Sequence, residues 1–342
     1  MKMGAIHRAA IIGDGAMGTL SAMLLAAGGV RSVMWSAFEE HAADIRRERA
    51  NSRFLPGFSL PRDLAVTTDA AEAAADAELV VIAVPSKHLR GVLERVGPAM
   101  PQAAVWVSVV KGIEAGTLLR PSEIIRQVCG ERRVVVLSGP CLAREVAAGL
   151  PASVVAASAD AAAAGAAQAA LATPWFRVYT SPDPLGVELG GALKNVIAIA
   201  AGIVDGLELG SNAMAALVTR GLVEMTRLGV ALGARAETFT GLSGLGDLVT
   251  TCASGLSRNH GVGREIGRGR DLEDVLAEMG RVEAEGVQTT RSALALAERA
   301  GVDMPITRQV HAVLFEGKPA PDALADLMSR EAKAEGGMRN AD

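Results

Sequence analysis

The sequence predicts an α/β domain followed by an all-helical domain, on three observations. Short apolar runs closed by Gly or Pro alternate with helix-like segments through the first half. After "TSPDPLG" (180–186) the pattern changes to long helical stretches without a convincing strand. The chain's 342 residues suffice for two domains with separate cores. The expected boundary lies between residues 182 and 183, where two prolines close the last strand.

The individual elements follow from periodicity. "AAIIGDG" (9–15) reads as a strand ending in glycine, with a helix from Met17 to Ala27 after it. "VRSVMWS" (30–36) reads as a second strand and "FEEHAADIRRERAN" (38–51) as a polar helix. "ELVVIAVPS" (78–86), "AVWVSVVKG" (104–112) and "RVVVLSGP" (133–140) are apolar on both faces, as in strands buried between helices. "SVVAAS" and "FRVYTS" are weaker strands, and alanine-rich 159–172 between them reads as a helix. Alternation of this kind implies a mostly parallel sheet covered by helices. The helical half is expected at 184–204, 212–232, 259–267, 271–279, 287–300 and 305–316, with the last dozen polar residues frayed.

Composition narrows the function. Half the residues are hydrophobic but only 3% are aromatic, so Ala, Val, Leu and Gly must fill the interior. The net charge of −4 includes no basic block, which argues against nucleic acid and leaves room for a small anionic ligand. The three cysteines show neither CxxC nor metal spacing; they read as reduced thiols in a cytosolic protein without a metal site. Lys2, His7 and Arg8 before an apolar run superficially resemble a signal peptide, but Asp14 and three glycines interrupt the run. No stretch of 18 uncharged apolar residues is present, so no membrane span is expected.

"GDGAMG" (13–18) fits G-x-G-x-x-G between a strand and a helix, the context that makes the pattern informative. Gly13 suits a tight turn, Gly15 close approach of a pyrophosphate to the helix N-terminus, and Gly18 close helix–strand packing. The first domain therefore reads as a Rossmann-type dinucleotide-binding domain, with NAD or NADP as cofactor. The second strand ends "MWSAFEE", without an acid for the NAD ribose or an arginine for the NADP phosphate at its tip. Since Ser36-Ala37-Phe38 brings no cation and Glu39 and Glu40 would repel a phosphate, NADH is expected to serve at least as well as NADPH.

Three segments carry chemistry. "VVKGIE" (109–114) puts Lys111 after a buried strand, at the sheet end where ligands bind; a solvated loop lysine is the alternative. In "GLGDLVTTCASGLSRNHGVG" (244–263), Ser257, Arg258 and Asn259 combine a hydroxyl, a guanidinium and an amide suited to phosphate, or else form a helix cap with a surface arginine. In "GVELGGALKNVIAIAAG" (186–202), Lys194 sits within an apolar helix, where an ammonium is costly unless paired or used. Gly190 and Gly191 lie one turn before it and are expected to leave room for a substrate.

Taken in order, "GDGAMGT", "NSRFLPGFSLP", "VIAVPS", "VVKGIE", "SGPCLAREVAAGLP", "GVELGGALKNVIAIAAGIVDGL", "TRGLVEMTRLGVALGA", "TFTGLSGLGDLVTTCASGLSRN" and "EGVQTT" resemble the bacterial NAD(P)-dependent glycerol-3-phosphate dehydrogenases over nearly the whole chain. The resemblance implies a dinucleotide-binding domain over 1–182 and a helical substrate and dimerisation domain over 183–342. It also implies a homodimer, and interconversion of dihydroxyacetone phosphate and glycerol 3-phosphate for phospholipid synthesis. Lys194 would be the catalytic lysine, with Asn195 helping to orient the site. Lys111, Gly139, Cys141, Asp247, Ser257, Arg258 and Asn259 would bind substrate. Gly13, Gly15, Ala16, Met17, Gly18, Lys111, Ala143, Arg258 and Glu285 would bind cofactor.

The chain departs from the family pattern at three places. Cys141 replaces a usual Ser or Thr, "WSAF" replaces "WGRD" or "WGHD" and so removes a basic residue, and "RVEAEG" replaces "VVEG". Two other readings are a dehydrogenase of another small hydroxy acid or phosphorylated polyol, and a non-catalytic dinucleotide-binding sensor.

Overall fold

The computed structural model describes residues 5–279 and 284–330. The first half runs β1 (Arg8–Ile12), α1 (Ala16–Ala27), β2 (Arg31–Trp35), α2 (Glu39–Glu48), β3 (Ala50–Asn51), β4 (Leu55–Ser59), β5 (Ala65–Thr67), α3 (Ala70–Ala74) and β6 (Leu79–Ile82). It continues through α4 (Leu89–Val96), β7 (Val105–Ser108), α5 (Pro121–Cys129), β8 (Arg133–Ser138), α6 (Ala143–Ala147), β9 (Ala152–Ala157), α7 (Ala161–Leu171) and β10 (Phe176–Ser181). Eight of these strands form one sheet in the order β10-β9-β8-β7-β6-β1-β2-β5, while β3 and β4 form a separate antiparallel hairpin. Every pairing in the large sheet is parallel except β8 with β9.

The apolar runs act as expected for a covered sheet. Ile11, Leu79, Val81, Val105 and Val107 pack on one face, and Ala10, Ile12, Val80, Ile82 and Trp106 on the other. β1 has β2 on one side and β6 on the other, so connections leave it in opposite directions and open a crevice at its carboxyl end.

The second half comprises α8 (Pro184–Gly206), α9 (Gly210–Ala231), α10 (Ala236–Phe239), α11 (Asp247–Ala253), α12 (Arg258–Gly267), α13 (Leu272–Met279), α14 (Glu285–Arg299), α15 (Pro305–Phe315) and α16 (Ala320–Met328). A π-helical turn, Leu242–Gly246, precedes α11. The expected frayed tail lies outside the described residues, as do positions 281–283 of "RVEAEG".

α8 is the axis of this domain. It begins at Asp183, whose carboxylate accepts from Gly186 N at 2.9 Å and also from Arg235 N and Thr238 Oγ1, tying α10 to the helix start. At 23 residues and a mean hydropathy of 1.6, α8 is long and apolar enough to cross a membrane, yet that apolar window is wholly buried by neighbouring elements. Lys194 interrupts the apolar run, which is why a search for uncharged stretches passes over it.

Glycines set the approach of α12 to α8. A Cβ on Gly202 would lie 2.0 Å from His260 O, and one on Gly263 would lie 1.9 Å from Ile199 O. Gly206 and Gly267 repeat the contact one turn on, so the two backbones touch where side chains normally intervene. Across the domains, buried Glu188 of α8 accepts from Arg120 Nη1 (2.6 Å), Ser122 N (2.8 Å) and Ser122 Oγ (2.7 Å) at the start of α5. Burial nevertheless pushes the Glu188 carboxyl above its usual range, against the pull of Arg120 and Ser122.

This packing separates two neighbouring glycines. Gly263→Ala places a methyl into the Ile199 carbonyl and should cost about 3 kcal/mol or more in thermal unfolding, at or beyond the upper end for overpacking. Gly261, with nothing within 4 Å of its would-be Cβ, should tolerate alanine and gain about 0.5–1 kcal/mol from helix propensity. Equal unfolding temperatures for the two variants would contradict the close contact.

Candidate active site

The glycine-rich turn leaves β1 at the crevice. Gly13 has φ +112°, and a Cβ there would strike Ala83 O at 2.5 Å. Gly18 packs α1 onto the turn, its would-be Cβ only 2.0 Å from Gly13 O. Gly15, the N-cap of α1, has open space where its Cβ would be. Two glycines thus close the turn while the middle one leaves the helix N-terminus accessible, an arrangement that fits a pyrophosphate. Ala16 and Met17 form the first turn of α1, and Ala143 opens α6.

Lys111 follows β7 and Gly139 follows β8, so both reach the same sheet end. Lys111 Nζ donates to Asp247 Oδ2 at 2.5 Å and to Gly139 O at 3.4 Å. Gly139 has φ +143°, and a Cβ there would press on Val154 Cα. Facing them from α8, Lys194 Nζ donates to Asp247 Oδ1 and, at 2.6 Å, to Thr251 Oγ1. Thr251 in turn donates to Asp247 O at 2.6 Å. One carboxylate therefore bridges two ammonium groups, one from each half of the molecule.

The lysines differ electrostatically. Burial drives the Lys194 ammonium down to about 8, helped by the positive charge of Lys111 and resisted by Asp247. Burial also pulls at Lys111, but the Asp247 carboxylate more than offsets it through charge and hydrogen bonding, so its pKa lies above the usual lysine value. Cys141, beside both lysines and Asp247, is pushed by burial to about 11 and remains a thiol. Cys252, near Lys194, is pushed to about 12 for the same reason.

The space expected beneath Lys194 is not where the sequence placed it. A Cβ on Gly190 would meet Ser243 O at 2.7 Å, and one on Gly191 would meet Ser138 Oγ at 2.6 Å. The glycine pair admits the backbone of the π-helical turn at Gly190 and the Ser138 side chain from the end of β8 at Gly191, so the protein's own atoms fill that space. Ser138 Oγ is buried there without a hydrogen-bond partner among the described residues.

The Ser257-Arg258-Asn259 group divides into three roles. Ser257 Oγ accepts from His260 N at 3.2 Å, an N-cap for α12. Asn259 points inward, its Oδ1 accepting from Gly286 N at 2.9 Å and holding the start of α14. Arg258 is exposed and makes no hydrogen bond or ion pair with another described residue. Gly286 also packs against Asn195 O, which brings Asn259 and Asn195 together next to Lys194. Glu285, the first residue of α14, adjoins this junction. Thr251 stands in the polar segment 244–263 and was given no role from the sequence, although its spacing of four from Asp247 places both on one helix face. Glu188 and Arg120 gave no comparable signal, being 68 residues apart.

Comparison with known proteins agrees with this geometry. Residues 8–164 match the family model for the N-terminus of NAD-dependent glycerol-3-phosphate dehydrogenase, and residues 183–325 match the model for its C-terminus. The chain is 50% identical over 333 residues to glycerol-3-phosphate dehydrogenase [NAD(P)+] of Geobacter sp. (strain M21), covering 96% of this chain and 99% of that protein. The corresponding protein of Streptomyces avermitilis is 49% identical over 330 residues, covering 96% and 98%. The crystal structure of a glycerol-3-phosphate dehydrogenase from Coxiella burnetii superposes with a TM-score of 0.91 at 39% identity, covering 95% of this chain and 99% of that one. By sequence along almost its whole length and by fold, the chain belongs to the NAD-dependent glycerol-3-phosphate dehydrogenase family.

Proposed function

We propose that the chain interconverts dihydroxyacetone phosphate and sn-glycerol 3-phosphate with NAD or NADP, supplying glycerol phosphate for phospholipid synthesis. The observation that carries this reading is Lys194, a buried lysine with its pKa lowered to about 8, hydrogen-bonded to Asp247 and Thr251 and joined through Asp247 to the crevice side of the sheet. Neither another hydroxy-acid substrate nor a non-catalytic sensor is favoured by the named relatives.

Residues 1–182 form the cofactor domain in this reading and residues 183–342 the substrate domain. Gly13, Gly15, Ala16, Met17, Gly18 and Ala143 would hold the dinucleotide, with Lys111, Arg258 and Glu285 reaching it from the facing side. The dinucleotide supplies the hydride acceptor and donor. For glycerol phosphate oxidation, the Lys194 amine takes the hydroxyl proton; for ketone reduction, its ammonium returns a proton to the forming alkoxide oxygen. The positive form also stabilises that developing charge. Asp247 fixes the ammonium direction, and Lys111 adds a second positive group near the reacting oxygen. Gly139 and Cys141 would line the substrate, the latter through its backbone.

The phosphate would sit at the start of α12. There Arg258 and Asn259 present backbone N–H groups that donate to no described residue, and Arg258 adds an uncommitted guanidinium. A homodimeric assembly and a cytoplasmic setting complete the proposal and rest on the family resemblance and the reduced-thiol reading.

Lys194→Ala should lower turnover about 10²–10⁴-fold while leaving NADH affinity nearly unchanged; turnover close to wild type would remove Lys194 from the proton path.

The lowered pKa fixes the sign of the pH profiles. Below about 8 the ammonium dominates, so the kcat/KM for ketone reduction should fall as pH rises through that region, whereas that for glycerol phosphate oxidation should rise. Parallel pH profiles in the two directions would contradict a single proton-carrying group.

Arg258→Ala should raise KM for dihydroxyacetone phosphate by a factor set by the loss of about 1.5–3 kcal/mol, and leave unphosphorylated dihydroxyacetone nearly unaffected. Equal loss on both substrates would move Arg258 away from the phosphate.

A further inference from the structure

The adenosine ribose of a dinucleotide bound to a doubly wound sheet lies off the end of the second strand. An acid there accepts from the ribose hydroxyls of NAD, whereas a cation nearby accommodates the 2′-phosphate of NADP. In this chain β2 ends at Trp35, and Ser36, Ala37 and Phe38 provide neither group.

The carboxylate arrives from a different element. Asp14 lies between the first two glycines of the glycine-rich turn, and its Oδ2 accepts from Ser36 Oγ and, at 2.7 Å, from His41 Nδ1. These bonds hold the carboxylate against the tip of β2. Oδ1 receives no hydrogen bond from another described residue, and the side chain is 15% exposed. The loop is fixed from the other side by Asn51 Nδ2, which donates at 2.7 Å to both Asp14 O and Thr19 Oγ1. Burial raises the Asp14 pKa, but the bonds from His41 and Ser36 and the charge of His41 prevail, so the group stays below the usual aspartate range.

Of the cations Arg46, Arg47, His41 and Arg53, all but Arg53 are already committed. Arg46 pairs with Glu39 and donates to Val66 O at 3.1 Å. Arg47 pairs with Asp44 and Glu48, and His41 is engaged by Asp14. Arg53 lies over the Phe54 ring at 5.2 Å and lines a cavity of about 290 Å³ that it shares with Glu40, Asp44 and Glu48. A 2′-phosphate at this end of β2 would face the Asp14 carboxylate, with Arg53 as a nearby guanidinium that no ion pair among the described residues holds.

We propose that Asp14 determines cofactor choice: its carboxylate, through the oxygen not bonded to Ser36 and His41, accepts from the adenosine ribose hydroxyls of NAD and repels the 2′-phosphate of NADP. The proposal rests on the reading of the chain as an NAD(P)-dependent dehydrogenase and names the residue that selects between the two cofactors. Ser36 and His41 are positioning residues that aim the carboxylate.

Equilibrium binding of NADH and NADPH to the full chain tests this without requiring turnover. The wild-type chain should bind NADH at least tenfold more tightly, about 1.4 kcal/mol. Asp14→Ala and the near-isosteric Asp14→Asn should each weaken NADH binding and shift the NADH:NADPH affinity ratio at least tenfold toward NADPH. A ratio unmoved in both variants, with the two affinities falling together, would show that Asp14 only holds the turn and would overturn the proposal. So would a wild-type preference for NADPH. Turnover of dihydroxyacetone phosphate measured alongside separates the two claims. Cofactor discrimination without turnover fails the dehydrogenase reading alone, and normal turnover with an unmoved ratio fails the Asp14 assignment alone.

Discussion

A single carboxylate, Asp247, bridges two ammonium groups that would otherwise repel each other at short range. Lys194 approaches one oxygen from within the helical domain and Lys111 approaches the other from the sheet. Coulomb repulsion between unscreened like charges rises steeply in a partly desolvated pocket, so without the acid at least one of the two lysines would give up its proton. The bridge therefore fixes the placement of β7's exit, the middle of α8 and the start of α11 together. It also differentiates the lysines. Lys194, more deeply buried, is drawn toward neutrality, while Lys111 is held charged. Two like groups in unlike surroundings are thereby given separate protonation behaviour, the pattern from which acid–base roles arise.

Keeping that arrangement requires α8 to be held on several sides. Glycine contacts let α12 come close enough for Asn259 to meet the start of α14 beside Asn195. Glu188 anchors α8 to the start of α5, and Asp183 anchors its first turn to α10. The low aromatic content has its explanation here: small side chains permit backbone contact between helices, and the position of functional groups is set by rigid main chain, not by bulky side chains that can repack.

Much of this was legible in the sequence. The strands centred on residues 10, 33, 80, 106 and 135, the alanine-rich α7 and the long helices from α8 onward are where periodicity places them. Other elements were hidden for local reasons. Pro56 and Pro61 make β3 and β4 read as loop, and β5 has only three residues at the sheet edge. α11 carries Val249, Thr250 and Thr251 in succession, a β-branched run that suppresses a helical reading. The antiparallel β8–β9 pair could not be foreseen because the intervening α6 has only five residues and no strong pattern. At the site, Lys194, Lys111 and Asp247 were identified and converge. The purpose of Gly190 and Gly191 was misread, because what fills a glycine's vacant side depends on segments distant in sequence.

The burial of α8 also bears on how the chain is made. The helices α9, α12, α14 and α15 that surround it lie later in the sequence, so on the ribosome this stretch emerges before its cover exists. Twenty-three helical residues extend about 34 Å, enough to cross a hydrocarbon layer. Lys194 near the helix centre opposes that fate, because a central lysine costs about 2.5–3.5 kcal/mol on insertion scales, and Glu188 adds a second charge. The same lysine that makes α8 depend on Asp247 thus also makes the isolated helix a poorer candidate for insertion than its length and apolar character alone would suggest.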